Sequence, residues 1–143
     1  MLLNREVQKK DIEKILKQGG FNCGCGKYHS TAVKDIVVSS GAAAQVPALI
    51  EKHTGKKAFL LSDLNTYEAA GKGVEKHLDD AGISYTSFVF QNPDLEPDDR
   101  AVGQAALYFD TGCDIILGIG SGTINDIGKM LAKVTGCKYI VVC

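Results

Sequence analysis

Hydrophobic positions along this chain switch period again and again. After Val33, short apolar runs alternate with apolar residues spaced three and four apart, the pattern of strands separated by helices. The β-branched stretch Ile36 to Ser39 predicts a strand, and Ala42 to Lys52 a helix with Val46, Leu49 and Ile50 on one side. Ala58 to Leu61 predicts a second strand, followed by a helix from Asn65 to Asp80 that Gly82 closes. Tyr85 to Phe90 gives a third strand. The acidic, proline-bearing loop QNPDLEPDD then leads to a helix from Arg100 to Phe109, with Asp98 placed to cap it. Ile115 to Leu117 is a short apolar strand, and Lys138 to Val142 a fifth. Between them lies a helix with Ile124, Ile127, Leu131 and Val134 on one side and Asp126, Lys129 and Lys133 on the other. Upstream, Arg5 to Gln18 carries Val7, Ile12, Ile15 and Leu16 among charges and predicts a short helix stopped by Gly19 and Gly20.

Strand-helix alternation of this kind implies right-handed crossovers and an α/β fold: a doubly wound parallel sheet of about five strands with helices on both faces. Residues 1–32 form an amino-terminal helix and a Cys/His-containing turn, and residues 33–143 the α/β domain, with no repeat and no linker. The chain stops at Cys143, in or just after an apolar strand, so it reads as a fragment of a longer protein.

The chemistry concentrates in DIILGIGSGTINDIGK, from Asp114 to Lys129. The strand breaks at Gly118, Gly120, Ser121, Gly122 and Thr123, and a helix resumes immediately. Glycines let another group approach the main chain, and a helix amino end offers unpaired N–H groups at the positive end of its dipole. A phosphate or pyrophosphate is the natural guest. A tight turn with no ligand is the plainer alternative. Two familiar templates fail: no Lys-Ser/Thr pair closes a P-loop, and Gly118, Gly120 and Thr123 do not complete G-x-G-x-x-G.

Composition narrows the class. Sixteen Lys and Arg against 17 Asp and Glu leave a net charge of −1, which argues against a nucleic-acid-binding face. With 45% of residues hydrophobic the chain can build a core, yet no run is long enough to span a membrane. MLLNREVQKK lacks the layout of a signal peptide, so a cytoplasmic protein is expected. Five cysteines without an export signal point to reduced thiols or a metal rather than a disulfide framework. Cys23, Cys25 and His29 fall within seven residues on a glycine-rich turn and could ligate zinc. A structural zinc site takes four ligands, however, and C-x-C-x3-H is not a standard spacing, so an ordered loop with reduced thiols is the favoured reading.

Ligands of open parallel sheets sit beyond the carboxyl ends of the strands, which singles out Asp63. Its carboxylate could accept hydrogen bonds from a ribose. Asn65 with Glu68 makes a cap-like pair for the following helix and would leave Asp63 free. Asp126 lies in the first helical turn, where a salt bridge to Lys129 is the default. His53 and His77 read as surface residues.

GIGSGTINDIGK, the earlier LSDLNTYEAAG with its acid directly after a strand, and the preceding strand-helix unit together resemble the amino-terminal domain of the iron-dependent alcohol dehydrogenase superfamily. The similarity is strongest to the glycerol-1-phosphate dehydrogenase-like branch, related to glycerol dehydrogenase and 3-dehydroquinate synthase, and covers Val33 to Cys143. FNCGCGKYH also resembles a segment of some bacterial members. The resemblance implies a Rossmann-like domain binding NAD or NADP, with the pyrophosphate on Gly120, Ser121 and Gly122, Asp63 on the adenine ribose and Asp126 toward the nicotinamide. Many members have three successive glycines here; this chain has Ser121 in the middle. An acid at position 63 favours NAD. The family's catalytic zinc or iron is held by an Asp and two His of a helical carboxy-terminal domain, so no catalytic residue is assigned to this chain, and it is not expected to turn over substrate alone. The substrate of the intact enzyme would be a polyol or glycerol phosphate; homo-oligomerisation is left open. Two alternatives stay in view: a dehydroquinate synthase-like domain, and a flavodoxin-like module binding a phosphate-bearing ligand or a partner protein.

Overall fold

The computed structural model describes Lys14 and residues 16–143. The helix expected at Arg5 to Gln18 lies mostly outside them; Lys14 and residues 16–18 are helical. The chain divides into two compact units, residues 1–42 and 43–143.

In the first unit, β1 (Gly20–Asn22) and β2 (Tyr28–Ser30) pair antiparallel, with Phe21 opposite His29. The strand expected at Ile36 to Ser39 is not formed. Ile36 is 43% and Val38 64% exposed, and neither pairs with a neighbouring strand. A β-branched run fits a pleated surface but needs a partner edge and a covered face to persist, and this run has neither.

The second unit is a four-stranded parallel sheet in the order β4-β3-β5-β6, one strand fewer than expected. Its elements are α1 (Val46–Lys52), β3 (Lys57–Asp63), α2, β4 (Ser84–Phe90), α3 (Asp99–Tyr108), β5 (Ile115–Ile119), α4 (Gly122–Thr135) and β6 (Lys138–Val142). Helix α2 runs Leu64–Thr66, widens into a π-helical turn over Tyr67–Gly71 and continues as Lys72–Asp80. Gly82, at φ 68°, closes it as expected, its N–H donating to Asp79 O at 3.0 Å.

The central strands β3 and β5 are buried on both faces, which is why their sequences read as apolar runs rather than alternations. Phe59, Leu61 and Ile116 point to one face, where Ala101 and Ala105 of α3 and Ile124, Ile127 and Leu131 of α4 cover them. Ala58, Leu60, Ile115, Leu117 and Ile119 point to the other, under Val46 and Ile50 of α1 and Val74 and Leu78 of α2. Each large side chain so buried contributes roughly 1.5–3 kcal/mol. Val134, expected on the buried stripe of α4, is 71% exposed. Helix α4 meets the sheet along a narrower seam in its last turn, where Ala132 is buried instead. Among the described residues no helix is long and apolar enough to cross a membrane.

Candidate functional site

Strand order decides where a ligand can enter. From β3 the chain passes through α2 to β4 on one side, whereas β5, on the other side of β3, feeds α4. Helices α2 and α4 lie on opposite faces, so the carboxyl ends of β3 and β5 part company and leave a crevice between them. This is the topological switch point of a doubly wound sheet. Asp63 ends β3 and the glycine loop follows β5, so the two candidate elements face each other across it.

The loop is arranged more economically than the sequence suggests. Gly118 is buried within β5, in register with Leu61 and Val141, and a Cβ there would sit 2.3 Å from Tyr139 Oη. Gly120 is buried too, and its N–H donates to Val142 O at 2.8 Å. The strand expected to break at Gly118 runs on to Ile119: Gly118 and Gly120 serve the sheet and the turn, and the open amides start at Ser121. Ser121 is the N-cap of α4 and makes no side-chain capping bond. By helix geometry the N–H groups of Gly122, Thr123 and Ile124 have no intrahelical acceptor. Ser121 and Gly122 are exposed, and a Cβ on Gly122 would meet nothing within 4 Å. The corner is open outward, not plugged by its own side chains.

Gly120 needs to be glycine for two reasons. Its φ is 150°, and a Cβ would lie 3.0 Å from Ile124 Cβ and 3.1 Å from Thr66 Cγ2. The start of α2 is thus pressed against the glycine loop.

Asp63 is not free, contrary to expectation. It is the N-cap of α2: Thr66 N–H donates to Asp63 Oδ1 at 2.8 Å, and Asp63 N–H donates to Thr66 Oγ1 at 3.0 Å. Asn65 and Glu68 do not form the cap, because the helix begins one residue earlier, at Leu64. The cap uses one carboxylate oxygen, and Oδ2 keeps its lone pairs for a further donor. Asp63, Asn65, Asn92, Pro93, Leu95 and Thr123 border a cleft of about 250 Å³ between the ends of β3, β4 and β5. Asn92 and Pro93 escaped the sequence reading, although an Asn-Pro turn just after a strand adjoining β3 was the available signal. Thr66 also escaped it, although Asp63 and Thr66 have capping-box spacing.

Asp126 is exposed and pairs with Lys129 at 2.7 Å, the expected i, i+3 bridge. His77 is half-buried on α2, and His53, the C-cap of α1, offers its carbonyl to the Lys138 ammonium. Behind the loop, Tyr139 lies in a slot that Gly118 and Gly128 leave open, its hydroxyl 3.3 Å from Asn125 Oδ1. Burial first, then the charges of Cys143 and Asp126, push the Tyr139 phenol above its ordinary value.

The crevice has the chemistry that a diphosphate-bearing nucleotide requires: open amides at a helix amino end, a bare Gly122 beside them, and a carboxylate oxygen across the gap. The catalytic metal does not fit the described residues. Their cluster of metal-capable side chains is Cys23, Cys25 and His29 in the first unit, a thiol-rich set unlike the Asp and two His the resemblance implies.

In comparisons with known proteins, residues 37–143 match the family described as iron-containing alcohol dehydrogenase. The chain belongs to that family. Among relatives, glycerol-1-phosphate dehydrogenase [NAD(P)+] of Geobacillus stearothermophilus is 28% identical over 111 residues, covering 75% of this chain and 28% of the relative. The Bacillus licheniformis protein of the same name is 27% identical over 136 residues, covering 92% of this chain and 34% of its own length. The crystal structure of glycerol dehydrogenase from Schizosaccharomyces pombe superposes with a TM-score of 0.62 at 20% identity, covering 70% of this chain and 25% of that one, and shows the shared fold. This iron-containing alcohol dehydrogenase family member thus spans about a third or less of the relatives it matches.

Proposed function

We propose that this chain is the NAD(P)-binding portion of a metal-dependent dehydrogenase acting on glycerol phosphate or a related polyol, close in kind to the glycerol-1-phosphate dehydrogenases it resembles. The observation that carries the reading is the pairing of open amides at Ser121 to Ile124 with the Asp63 carboxylate across one crevice at the switch point. In this proposal the N–H groups of Gly122 and Thr123 hold the diphosphate, and Asp63 Oδ2 accepts a hydroxyl of the adenine ribose. That carboxylate would repel a 2′-phosphate, so NAD is the preferred partner. Asp126, already paired with Lys129, marks the rim toward which the nicotinamide extends. Once bound, the nicotinamide supplies or accepts the hydride, and the residues of this chain only bind and orient it. The zinc or iron that polarises the substrate oxygen is assigned to ligands other than those described here.

Equilibrium dialysis of the purified chain tests the proposal. It should retain NADH in preference to FMN or a simple sugar phosphate, and should not reduce dihydroxyacetone phosphate with NADH at an enzymatic rate. Equal retention of FMN and NADH would remove the dehydrogenase reading, and turnover by this chain alone would remove the assignment of the metal elsewhere.

A further inference from the structure

The hairpin of the first unit carries chemistry that the nucleotide site does not use. Beyond the paired strands the ladder runs on: Cys23 N–H donates to Lys27 O at 2.9 Å, and Gly26 N–H turns back to Cys23 O at 3.0 Å. Cys23 is thereby fixed at the mouth of the turn, Cys25 at its tip and His29 on the returning strand. The ligand atoms of all three lie within 4.8 Å of one another, and Cys25 Sγ is 3.1 Å from His29 Nε2. Around a tetrahedral zinc, with Zn–S of about 2.3 Å and Zn–N of about 2.0–2.1 Å, such atoms stand about 3.5–3.8 Å apart. The backbone has therefore brought three soft donors to within on the order of 1 Å of a ligating arrangement.

Stability gives a second, independent argument. An isolated two-stranded hairpin is marginal in water. No residue of β1 or β2 is buried, and their ring contact, Phe21 to His29, spans 5.7 Å between centroids at a tilt of 31°. A metal held by the turn and the returning strand would tie them more firmly than the Cys25 to His29 side-chain contact does.

We infer that Cys23, Cys25 and His29 form a binding site for a thiophilic divalent metal ion, with zinc the fitting species, in which two thiolates and a neutral imidazole occupy three positions and water or an external donor the fourth. Two thiolates balance the charge of the ion. Loading forms two metal–sulfur bonds and one metal–nitrogen bond, and releases the remaining thiol protons to solvent without any redox step. The site clips the hairpin and uses none of the residues assigned to the nucleotide crevice.

The test uses the whole chain, stripped with chelator, loaded with zinc or cobalt and dialysed. One equivalent of zinc should remain per chain, and the cobalt form should show thiolate-to-metal charge transfer in the near ultraviolet. Cys25→Ser and His29→Ala should each weaken zinc binding at least tenfold, while Cys143→Ser, which removes an exposed thiol elsewhere, should not. Zinc should also slow hydrogen exchange at the amides of Cys23 to Ser30. Substoichiometric zinc, or a cobalt spectrum of oxygen-ligated type, overturns the inference, and both are measured on the parent chain, so the test stands even where a variant misfolds. Gly122→Ala, impaired in the nucleotide crevice, should keep its zinc, so failure of one site is distinguishable from failure of the other.

Discussion

Gly120 and Gly122, two residues apart in one loop, should respond oppositely to alanine, because only one of them faces its own protein. At Gly120 an added Cβ would lie 3.0 Å from Ile124 Cβ and 3.1 Å from Thr66 Cγ2, neither of which is the free end of a flexible chain. Overpacking of that kind costs roughly 1–3 kcal/mol. The φ of 150° adds strain on the order of 1–3 kcal/mol for a residue with a side chain. Together Gly120→Ala should lose roughly 2–6 kcal/mol, a large share of a small domain's stability. At Gly122 the new methyl meets nothing within 4 Å and stands in the first turn of α4, where alanine is the better helix former by at most about 1 kcal/mol. Its stability should hold or rise slightly. Nucleotide binding should fall, because a diphosphate oxygen must come within about 2.7–2.9 Å of these amides to make charge-assisted bonds. Losing one such bond costs about 1.5–3 kcal/mol, or roughly 10- to 100-fold in affinity. Urea unfolding followed by circular dichroism reads the first quantity, and titration with NADH the second. A Gly122→Ala chain that folds normally and binds NADH as tightly as its parent would show that the diphosphate sits elsewhere.

Asp63→Asn keeps an oxygen for the Thr66 amide, so unfolding should shift by under about 1 kcal/mol, whereas Asp63→Ala loses the cap and should cost about 1 kcal/mol. Both should narrow any preference for NADH over NADPH in competition binding; an unchanged preference would remove Asp63 from the ribose site. Gly118→Ala should destabilise by roughly 1–3 kcal/mol, and adding Tyr139→Phe should recover part of that, since the nearest obstacle is the Tyr139 hydroxyl. The same second change should not rescue Gly128→Ala, where the ring itself stands 2.6 Å away; equal rescue of both in chemical denaturation would contradict the slot. Burial pushes the Asp114 carboxyl up, but the amides of Lys56, Lys57 and Asp114 and the charge of Lys138 together hold it below its ordinary value. Its stabilising contribution is therefore fully present above the unfolded value of about 3.9 and is lost as pH falls through the lower folded value. Asp114→Asn should destabilise by about 1–3 kcal/mol at neutral pH and flatten the acid limb of stability against pH.

What the sequence disclosed depended on whether an element's partners were encoded locally. Strands β3 and β5 were legible because burial on both faces leaves an unbroken apolar run, and α3 was legible with its cap because Asp98 bonds an amide three residues away, Ala101 N–H to Oδ1 at 2.9 Å. Ile36 to Ser39 is apolar and β-branched too but pairs with no strand, and composition does not record a missing partner. The π turn at Tyr67–Gly71 was also hidden: it coincides with the Tyr67 ring lying over Gly71, where a Cβ would be 2.5 Å away, and leaves no mark on the hydrophobic period.

The site was half legible for the same reason. That the loop after β5 is rich in glycine is evident from its residues, but the division of labour among those glycines is set by positions far along the chain. Gly118 answers to Tyr139, Gly120 to Thr66 and to the carbonyl of Val142, and only Gly122 answers to nothing in the protein. Thr66 is the residue that joins the two halves: its N–H and hydroxyl lock Asp63 at the end of β3, and its methyl bears on the turn that follows β5. One short side chain therefore couples the orientation of the carboxylate to the position of the open amides. Replacing it with serine keeps the hydroxyl and removes the methyl, so Thr66→Ser should preserve the cap while loosening the loop, and NADH affinity should fall with little change in the unfolding midpoint. If the affinity is unchanged as well, the carboxylate and the amides are positioned independently, and the crevice is two sites rather than one.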